Sequence, residues 1–347
     1  MKAAVLHGIR DVRIEDRPVP EPGPGQALVK VTAVGVCGSD VHYYIDGRIG
    51  DQVVAKPQTI GHEVAGRVEA LGPDTETDLS PGELVAIEPG VSCGKCEHCQ
   101  EGKPNTCPNV VFYGTPPVDG AYQEYLVHPV EYLYACPEGV SDEAAAMTEP
   151  LGIGLHAEHI ARIGPGDSVA ILGSGTIGLC TMMAVRAAGA ARILVTDLLE
   201  NRLDLARRLG ATDTFVAEAG GAAGATEWIK EATGGRGVDV AFECAGQIET
   251  MRQALDVARI GGRAVLVGIT TEDDVPLQIH IARRKELEIL NVRRSRFTIP
   301  RSLALIEQGR IDVESLITHR FGLDELAKAL DLVHEKADGV VKAMITV

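Results

Sequence analysis

The strongest constraint on the fold is an alternation of apolar runs and helical patterns between residues 168 and 268. The apolar runs have the length of strands, and the segments between them show helical periodicity. Such an alternation implies right-handed crossovers and a parallel, doubly wound α/β sheet. The predicted strands are 168–172, 192–197, 213–217, 238–246 and 263–268, and the predicted helices are one ending near 188, then 201–210, 227–233 and 249–260.

The remaining chain has a different character. Val-rich runs broken by Pro and Gly, such as 26–36 and 63–71, predict a β-rich and loop-rich first half. The last residues, 339–347, read as a strand that could return to the first domain, although the sequence alone leaves this open. The short GGAAGA tract at 220–225 predicts a loop.

Composition narrows the classes of function. The chain has 347 residues, 45% of them hydrophobic, and a formal net charge of −16, which is typical of a folded protein and argues against nucleic-acid or anionic membrane partners. The first residues lack the apolar core of a secretory signal, so we expect a cytoplasmic protein. The uncharged stretch 168–185 is long enough to span a bilayer, but its glycines have a better explanation, and we expect no membrane span.

That explanation is a GxGxxG fingerprint that follows the first predicted strand and opens a helix. Its glycines allow a tight turn and a close approach of a pyrophosphate to the helix N-terminus. Asp197, at the end of the next strand, would accept hydrogen bonds from an adenosine ribose and so favour NAD over NADP, although Arg202 leaves room for dual use. The alternative is that the glycines serve packing alone and Asp197 caps a helix. The candidate cofactor residues are Gly173, Gly175, Ile177, Gly178, Asp197 and Arg202.

Four of the eight cysteines form a compact pattern, Cys93-x2-Cys96-x2-Cys99-x7-Cys107. Short Cys-x2-Cys turns bring sulfurs to metal distance, and four thiolates close a tetrahedral zinc site of the structural type. Disulfides, a redox pair and an iron–sulfur cluster are the alternatives, and the spacing does not match the common ferredoxin runs. A DNA-binding finger is disfavoured by the acidic charge.

A second set of metal donors is dispersed along the chain. Cys37 lies in VGVCGSDVH, His62 and Glu63 lie in IGHEVAG, and Glu149 lies in TEPLG. One thiolate, one imidazole and carboxylates can hold zinc with a position left open, as catalytic zinc requires. Spacing alone does not exclude a purely structural role for these residues, since a lone histidine is often structural and a lone buried cysteine often packs as a small hydrophobic residue.

Together these motifs form a resemblance. CGSDVH, GHEVAG, the four-cysteine segment, TEPL and GSGTIG, in that order, resemble the zinc-dependent medium-chain alcohol dehydrogenases, and their flanking residues are similar to the sorbitol, xylitol and L-iditol dehydrogenase branch. The resemblance implies a doubly wound NAD-binding domain at 152–289. It also implies a β-rich, GroES-like catalytic domain made of 1–151 and 290–347.

The resemblance also implies an activity and residue roles. We expect oxidation of a polyol secondary alcohol to a ketose with NAD, assisted by one catalytic and one structural zinc per chain. The catalytic zinc would fall on Cys37, His62 and Glu63, while Glu149 would bond its water or join the metal. Ser39 and His42 would carry the proton away. The expected substrate-site residues are Tyr43, Phe112, Thr115 and Arg294.

Several alternatives stay open. The family often has Tyr after its arginine, whereas this chain has Arg293-Arg294-Ser295-Arg296, so the identity of the polyol is not fixed. Other dehydrogenases of the family act on vicinal diols such as butanediol, on threonine or on simple alcohols, and a cofactor-binding protein without turnover is a further reading. We expect a homo-oligomer, a tetramer rather than a dimer, with 275–280 as a candidate edge strand.

Overall fold

The computed structural model describes residues 1–219 and 222–347 and divides the chain into two compact units. Unit 1 contains Met1–Glu149 and Arg296–Val347, and unit 2 contains Pro150–Ser295. The sequence analysis placed the corresponding boundaries after residue 151 and before residue 290. The catalytic and nucleotide-binding roles given to these parts of the chain stay predictions.

The N-terminal part of unit 1 is built mainly from short strands joined by loops, because its Val-rich runs are repeatedly interrupted by Pro and Gly. Its strands are β1 (Lys2–Gly8), β2 (Asp11–Asp16), β3 (Gln26–Gly35), β4 (Arg48–Ile49), β5 (Gln52–Val53), β6 (Gln58–Thr59), β7 (Glu63–Leu71), β8 (Leu84–Ile87), β9 (Gly90–Val91), β10 (Val111–Phe112), β11 (Tyr125–Pro129) and β12 (Leu133–Ala135). Its helices are α1 (Gly38–Asp46), α2 (Glu97–Gln100) and α3 (Asp142–Ala146), and α4 (Thr148–Ala161) begins here and continues into unit 2.

Unit 2 is a six-stranded parallel sheet with helices in its crossovers, which confirms the predicted doubly wound fold. The strand order is β15-β14-β13-β16-β17-β18, so the order reverses between β13 and β16. Its strands are β13 (Ser168–Leu172), β14 (Arg192–Asp197), β15 (Asp213–Val216), β16 (Val238–Glu243), β17 (Ala258–Leu266) and β18 (Glu288–Asn291). Its remaining helices are α5 (Thr176–Ala188), α6 (Glu200–Leu209), α7 (Ala222–Ala232), α8 (Ile248–Val257) and α9 (Ile279–Lys285).

Three local predictions in unit 2 are wrong. The helix predicted to reach residue 260 ends at Val257, and the next residues already belong to β17. The predicted loop at 220–225 is helical from Ala222 onward, while Gly220 and Gly221 lie outside the described residues. The candidate edge strand at 275–280 is irregular until α9 begins at Ile279, which fits a segment whose Pro276 has no N–H to donate to a ladder.

The C-terminal part of unit 1 contributes α10 (Ile299–Glu307), β19 (Ile317–Gly322), α11 (Leu326–Glu335) and β20 (Lys342–Thr346). Strand β20 pairs antiparallel with β3, so the last strand of the chain does return to the sheet of the first half. That seven-stranded sheet runs β12-β8-β7-β3-β20-β19, and β11 also pairs with β3. The pairing brings residues near the C-terminus beside β3 and β7, where the candidate site lies.

Residues 168–185 do not form a single apolar helix. They fold into β13 and most of α5, separated by the glycine-rich turn. Across the part of the chain that the structure describes, no helix combines the length and the apolar character needed to cross a membrane.

Candidate active site and metal centres

Cys37, His62 and Glu63 meet in unit 1. Cys37 follows β3 and precedes α1, while Glu63 opens β7 opposite Gly35 of β3, so the pairing of these two strands brings the segments together. One sulfur, one ring nitrogen and one carboxylate oxygen from these residues lie within 4.8 Å of one another. Three of the four dispersed donors of the sequence, all except Glu149, therefore form a compact group of the kind that binds a zinc ion with an open position.

The surroundings of Cys37 do not favour its ionisation in the absence of a cation. Burial raises the pKa of the Cys37 thiol to about 12, and the nearby carboxylates of Glu63 and Asp40 raise it in the same direction. Ser39 donates a hydrogen bond to the Cys37 sulfur, which acts to lower the pKa of the thiol. A metal ion would supply the missing positive charge, because thiol ligands must lose their proton to bind.

Asp40 holds the backbone next to Cys37 and His62 through hydrogen bonds, a role that the sequence analysis missed. Its Oδ2 accepts hydrogen bonds from the Cys37 N–H at 3.0 Å and from the Tyr122 hydroxyl at 2.9 Å, and its Oδ1 accepts from the Gly61 N–H at 3.0 Å. The same Oδ1 is 3.7 Å from His62 Nδ1. Asp40 is fully buried and therefore fixes the backbone on both sides of the cluster, beside Cys37 and beside His62.

Lys342 is the second residue that the sequence analysis missed. It opens β20, its side chain is buried, and its ammonium group forms an ion pair with Glu63 Oε2. The ammonium also donates to the carbonyl oxygen of Val36 at 2.9 Å. Burial alone would lower the pKa of Lys342, but the Glu63 carboxylate and its anionic neighbours raise it, so the lysine stays charged.

Gly35 makes room for that ion pair. A Cβ at this position would come within 2.1 Å of Glu63 Oε2 and within 2.8 Å of Lys342 Cε. The buried pair is thus fitted against bare backbone of β3, and any larger residue would displace one of the two charged groups.

The three residues predicted to move protons lie in different surroundings. Glu149, in the first turn of α4, is buried, and burial raises its pKa to about 8 while His62 acts to lower it and Glu63 to raise it. Ser39 contacts the Cys37 thiol. His42, on the same helix as Ser39, is half-buried, and its Nδ1 lies 3.1 Å from Asp46 Oδ2 near the surface.

The predicted substrate residues are divided between the units. In unit 1, the Phe112 ring centroid is 5.5 Å from that of His62, and the Tyr43 hydroxyl donates to Gln52 Oε1 at 3.4 Å. Thr115 lies in the loop that follows Phe112 and is half-buried. Arg294 belongs to unit 2 and has a left-handed backbone conformation, with φ of 53°. Its role toward the substrate stays a prediction.

The four clustered cysteines form a second metal centre. Sulfur–sulfur distances are 3.4 Å for Cys96 and Cys99, 3.5 Å for Cys93 and Cys107, and 3.8 Å for Cys96 and Cys107. These are too long for disulfides, and all four cysteines are free. A tetrahedron with Zn–S bonds of ~2.3 Å has sulfurs about 3.8 Å apart, so the spacing fits a closed zinc site.

Local backbone groups prepare this second centre for a cation. Backbone N–H groups of Lys95 and Cys96 donate to the Cys93 sulfur and lower the pKa of its thiol to about 6. The Cys99 N–H acts in the same direction on Cys96, but burial and the neighbouring thiols raise the pKa of Cys96 to about 11. Beside the cluster, the Tyr132 hydroxyl accepts from the Ser92 N–H at 3.2 Å and donates to the Ser92 carbonyl at 3.3 Å. The segment is thus tied to the body of unit 1 next to its first ligand.

In unit 2, the glycine-rich turn has the geometry that its sequence predicts. Gly173 has φ of +95°, which side chains rarely adopt, and a Cβ on Gly178 would come within 1.9 Å of the Gly173 carbonyl oxygen. Gly175 is the N-cap of α5, and Ile177 lies half-buried in its first turn. The turn therefore presents a helix N-terminus at the carboxyl end of the sheet, where an anion is favoured.

Asp197 supports this turn from the next strand. Its Oδ2 accepts from the Ser174 N–H at 2.6 Å, and its Oδ1 accepts from the Leu199 N–H at 3.0 Å. Arg202 reaches back toward the same turn, with its Nη1 3.6 Å from where a Cβ on Gly175 would stand. A carboxylate and a guanidinium thus flank the place predicted for the adenosine ribose.

Two family models match the chain. One describes the GroES-like domain of alcohol dehydrogenases and matches residues 23–138, and the other describes zinc-binding dehydrogenases and matches residues 176–308. The first falls within unit 1, and most of the second falls within unit 2.

Individual proteins are similar over nearly the whole chain. Sorbitol dehydrogenase of Bacillus subtilis strain 168 is 40% identical over 99% of this chain and 97% of its own length. A solved structure of 2R,3R-butanediol dehydrogenase from Bacillus subtilis superposes with a TM-score of 0.88 at 30% identity, covering 100% of this chain and 99% of the other. An Escherichia coli CFT073 protein described as a short chain alcohol dehydrogenase (rspB), complexed with NADH, superposes with a TM-score of 0.90 at 29% identity and the same coverage.

Proposed function

The chain belongs to the zinc-containing medium-chain alcohol dehydrogenase family, and from this we propose that it oxidises a polyol to a ketose with NAD. It is a zinc-binding, NAD(P)-dependent dehydrogenase. The proposed substrates are sugar alcohols of the sorbitol, xylitol or L-iditol type, which present a secondary hydroxyl flanked by others. The similarity to a sorbitol dehydrogenase over almost the full length supports that class.

The observation that carries the proposal is the donor group of Cys37, His62 and Glu63. It is compact, since one potential ligand atom from each of the three residues lies within 4.8 Å of the others, and His62 and Glu63 are buried. Zinc held there would supply Lewis acidity that makes a substrate hydroxyl more acidic. The ion pair of Lys342 and Glu63 balances part of the negative charge of the ligands.

We assign the proton to a relay along α1. Ser39 lies beside the Cys37 thiol, and His42 is three residues further on, so both side chains fall on one face of the helix. In the oxidation, the hydroxyl proton would pass through Ser39 and the cofactor ribose, and His42, which reaches solvent beside Asp46, would complete the relay. NAD, when bound, would supply the acceptor for the hydrogen and electron pair of the carbon that bears the hydroxyl, so that the products would be a ketone, NADH and one proton.

Glu149 offers a second exit for the proton. Because burial raises its pKa to about 8, this carboxyl group can both hold and release a proton near neutral pH. We propose that it exchanges protons through water or joins the metal, as the alternative to the route through Ser39, the cofactor ribose and His42.

Polar and aromatic side chains would select the polyol. Phe112, against the His62 ring, and Tyr43 would form the wall of the site, while Thr115 would offer a hydroxyl. Arg294 would bond the outer hydroxyls of the substrate. The run Arg293-Arg294-Ser295-Arg296 departs from the arginine and tyrosine common in the family, so the proposal names a class of sugar alcohols and not one polyol.

Asp197 would favour NAD over NADP. A carboxylate at this place accepts hydrogen bonds from the ribose hydroxyls and repels a 2′-phosphate. Arg202, close to the glycine-rich turn, would instead attract such a phosphate, so some activity with NADP is consistent with the same site.

The Cys93, Cys96, Cys99 and Cys107 centre would hold the second zinc and keep its exposed segment folded. We further propose that the chain assembles as a homotetramer. The irregular segment 275–278 gives no support to the edge strand suggested by the sequence.

The test is an initial-rate panel on zinc-loaded enzyme with sorbitol, xylitol, L-iditol, 2,3-butanediol, threonine and ethanol, each with NAD and NADP. We expect the highest kcat/KM for a sugar alcohol with NAD, together with two zinc ions per chain by metal analysis. Sugar-alcohol rates no higher than those with ethanol would overturn the proposed substrate class.

A second candidate is a vicinal-diol dehydrogenase. The structural similarity to 2R,3R-butanediol dehydrogenase favours it, since the fold and the metal ligands would serve either substrate. In the same panel, a kcat/KM for 2,3-butanediol well above that for every sugar alcohol would replace the polyol proposal with this one.

A further inference from the structure

Glu243 is a buried carboxyl group to which the proposed mechanism gives no task. It ends β16, and its side chain is inaccessible to solvent. Burial raises its pKa, an effect that hydrogen bonds from Thr250 and from backbone N–H groups partly oppose. A buried carboxyl group at the carboxyl end of a central strand needs an explanation, because desolvating it is costly.

One oxygen of Glu243 fixes the loop that connects β16 and α8. Oε1 accepts from the N–H groups of Ala245 and Gly246, both at 2.8 Å, and from the Thr250 hydroxyl at 2.7 Å. Oε2 is buried and has no hydrogen-bond partner among the described residues. The side chain therefore serves the loop through one oxygen, and a neutral group of the same shape could do the same.

The backbone of Glu243 joins this loop to the end of the next strand. Its carbonyl accepts from the N–H groups of Val267 at 2.8 Å and Gly268 at 3.1 Å. A Cβ on Gly268 would lie 2.2 Å from the Gly246 nitrogen and 2.7 Å from Glu243 Oε2. The ends of β16 and β17 thus fit together without space for side chains, and Glu243 lies between them.

The same loop adjoins the glycine-rich turn. The Cys244 N–H donates to the carbonyl of Leu172, the last residue of β13, and a Cβ on Gly173 would lie 2.9 Å from the Ala245 Cβ. The strand order reverses between β13 and β16, and a dinucleotide lies across that point with its two halves on either side. Asp197 occupies the β14 side, so the β16 side is left for the other half.

We propose that Glu243 is a positioning residue that holds the β16–α8 loop and the end of β17 in the shape that receives the nicotinamide half of the dinucleotide. The inference rests on the proposed use of NAD. It predicts that loss of the side chain weakens binding of whole NADH and spares binding of ADP, which has the adenosine and the diphosphate but lacks the nicotinamide riboside. A residue needed only for folding would not separate the two ligands.

The experiment measures binding of NADH and of ADP by titration calorimetry on the full-length, zinc-loaded protein. Glu243→Ala should weaken NADH binding at least about tenfold and change ADP binding by less than about twofold. Glu243→Gln keeps the acceptor for all three donors and should bind NADH within about threefold of the wild type. Thr250→Val removes one donor and should give a smaller loss of the same selectivity.

Asp239 provides the matched control, since it is a buried carboxylate on the same strand, away from the carboxyl end. Its Oδ1 accepts from Arg236 at 2.7 Å and from Arg259 at 2.6 Å, and its Oδ2 accepts from the Ser168 N–H at 3.0 Å. Asp239→Asn should lower Tm while leaving the ratio of NADH to ADP affinity unchanged.

The outcomes separate this inference from the proposed function. Wild-type protein that binds neither NADH nor ADP would overturn the use of NAD. Normal wild-type binding with equal losses of both ligands in Glu243→Ala, or with no loss of either, would overturn the role of Glu243 alone. Glu243→Gln behaving like Glu243→Ala would overturn the hydrogen-bonding argument. If Glu243→Ala does not fold, the binding measurements on Thr250→Val replace it. An NADH affinity of Thr250→Val equal to that of the wild type would then contradict the proposal.

Discussion

The two candidate metal centres of unit 1 bring their donor atoms together in different ways. The four-cysteine centre takes its donors from one short segment, and backbone N–H groups lower the pKa of Cys93 to about 6. The centre around Cys37 takes its donors from separate segments, and burial raises the pKa of that thiol to about 12. Backbone N–H groups of its own segment donate to the sulfurs of the first centre, whereas the second centre is surrounded by buried side chains of other segments.

This difference suggests that one centre supports the fold and the other supports catalysis. A centre with four thiolates leaves no position for a substrate, so its metal would support the fold. A centre with a thiolate, an imidazole and a carboxylate leaves a position open, and the buried ammonium group of Lys342 forms an ion pair with its carboxylate, Glu63. Substitutions at the two centres should therefore separate activity from stability.

The largest effect is expected for Cys37→Ala. Loss of this ligand should lower kcat by about a thousandfold or more, because Lewis-acid assistance is worth several kcal/mol. Metal analysis should find one zinc per chain in place of two, with Tm nearly unchanged. Cys136→Ala, at a free cysteine outside both clusters, is the control and should keep both metal ions and full activity. Full activity of Cys37→Ala would show that the Cys37 centre is not needed for catalysis.

Lys342→Met tests whether the buried counter-charge matters most when the metal is absent. Removing one partner of a buried ion pair leaves an uncompensated charge, which costs about 3–5 kcal/mol. Zinc would supply positive charge beside Glu63, so the fall in Tm should be larger for chelator-treated protein than for zinc-loaded protein. Lys328→Met, at an exposed lysine near Glu325, is the control and should change Tm little in either state. Equal losses with and without metal would contradict this role.

Cys99→Ala, in the four-cysteine centre, should lower stability and leave activity nearly unchanged. The variant should lose one zinc and about 2 kcal/mol of stability, seen as a fall in Tm of several degrees, because its segment is held by the metal. The kcat of the protein that remains folded should stay within about threefold of the wild type. A variant that loses one zinc with an unchanged Tm would show that the second centre is not structural.

The same contrast explains what could be predicted from sequence. Cys93 and its partners were recognisable because a short spacing fixes their geometry, and the βαβ pattern with its glycines was equally local. Lys342 was not, since its contact with Glu63 depends on β20 pairing with β3, and no spacing encodes a pairing across almost the whole chain. Asp40 did leave a signal, because an acidic residue three positions after Cys37 is typical of a helix N-terminus. The end of α8 was misplaced because Val257, Ala258 and Ile260 continue the apolar pattern and no glycine or proline interrupts the chain before Gly261.

The smallest effects should come from two tyrosine hydroxyls, one beside each centre. Tyr122 donates to the buried carboxylate of Asp40 at 2.9 Å, whereas Tyr132 exchanges hydrogen bonds with neutral groups of Ser92 at 3.2 and 3.3 Å. Hydrogen bonds to charged groups contribute about 1.5–3 kcal/mol and neutral ones about 0.5–1.5 kcal/mol. Chemical denaturation of Tyr122→Phe and Tyr132→Phe should therefore show the larger loss of stability for Tyr122. Since Asp40 also holds the backbone of Cys37, Tyr122→Phe should lower kcat as well, while Tyr132→Phe should leave kcat unchanged. A larger loss of stability for Tyr132→Phe would mean that the Cys37 centre does not depend on the buried side chains around it.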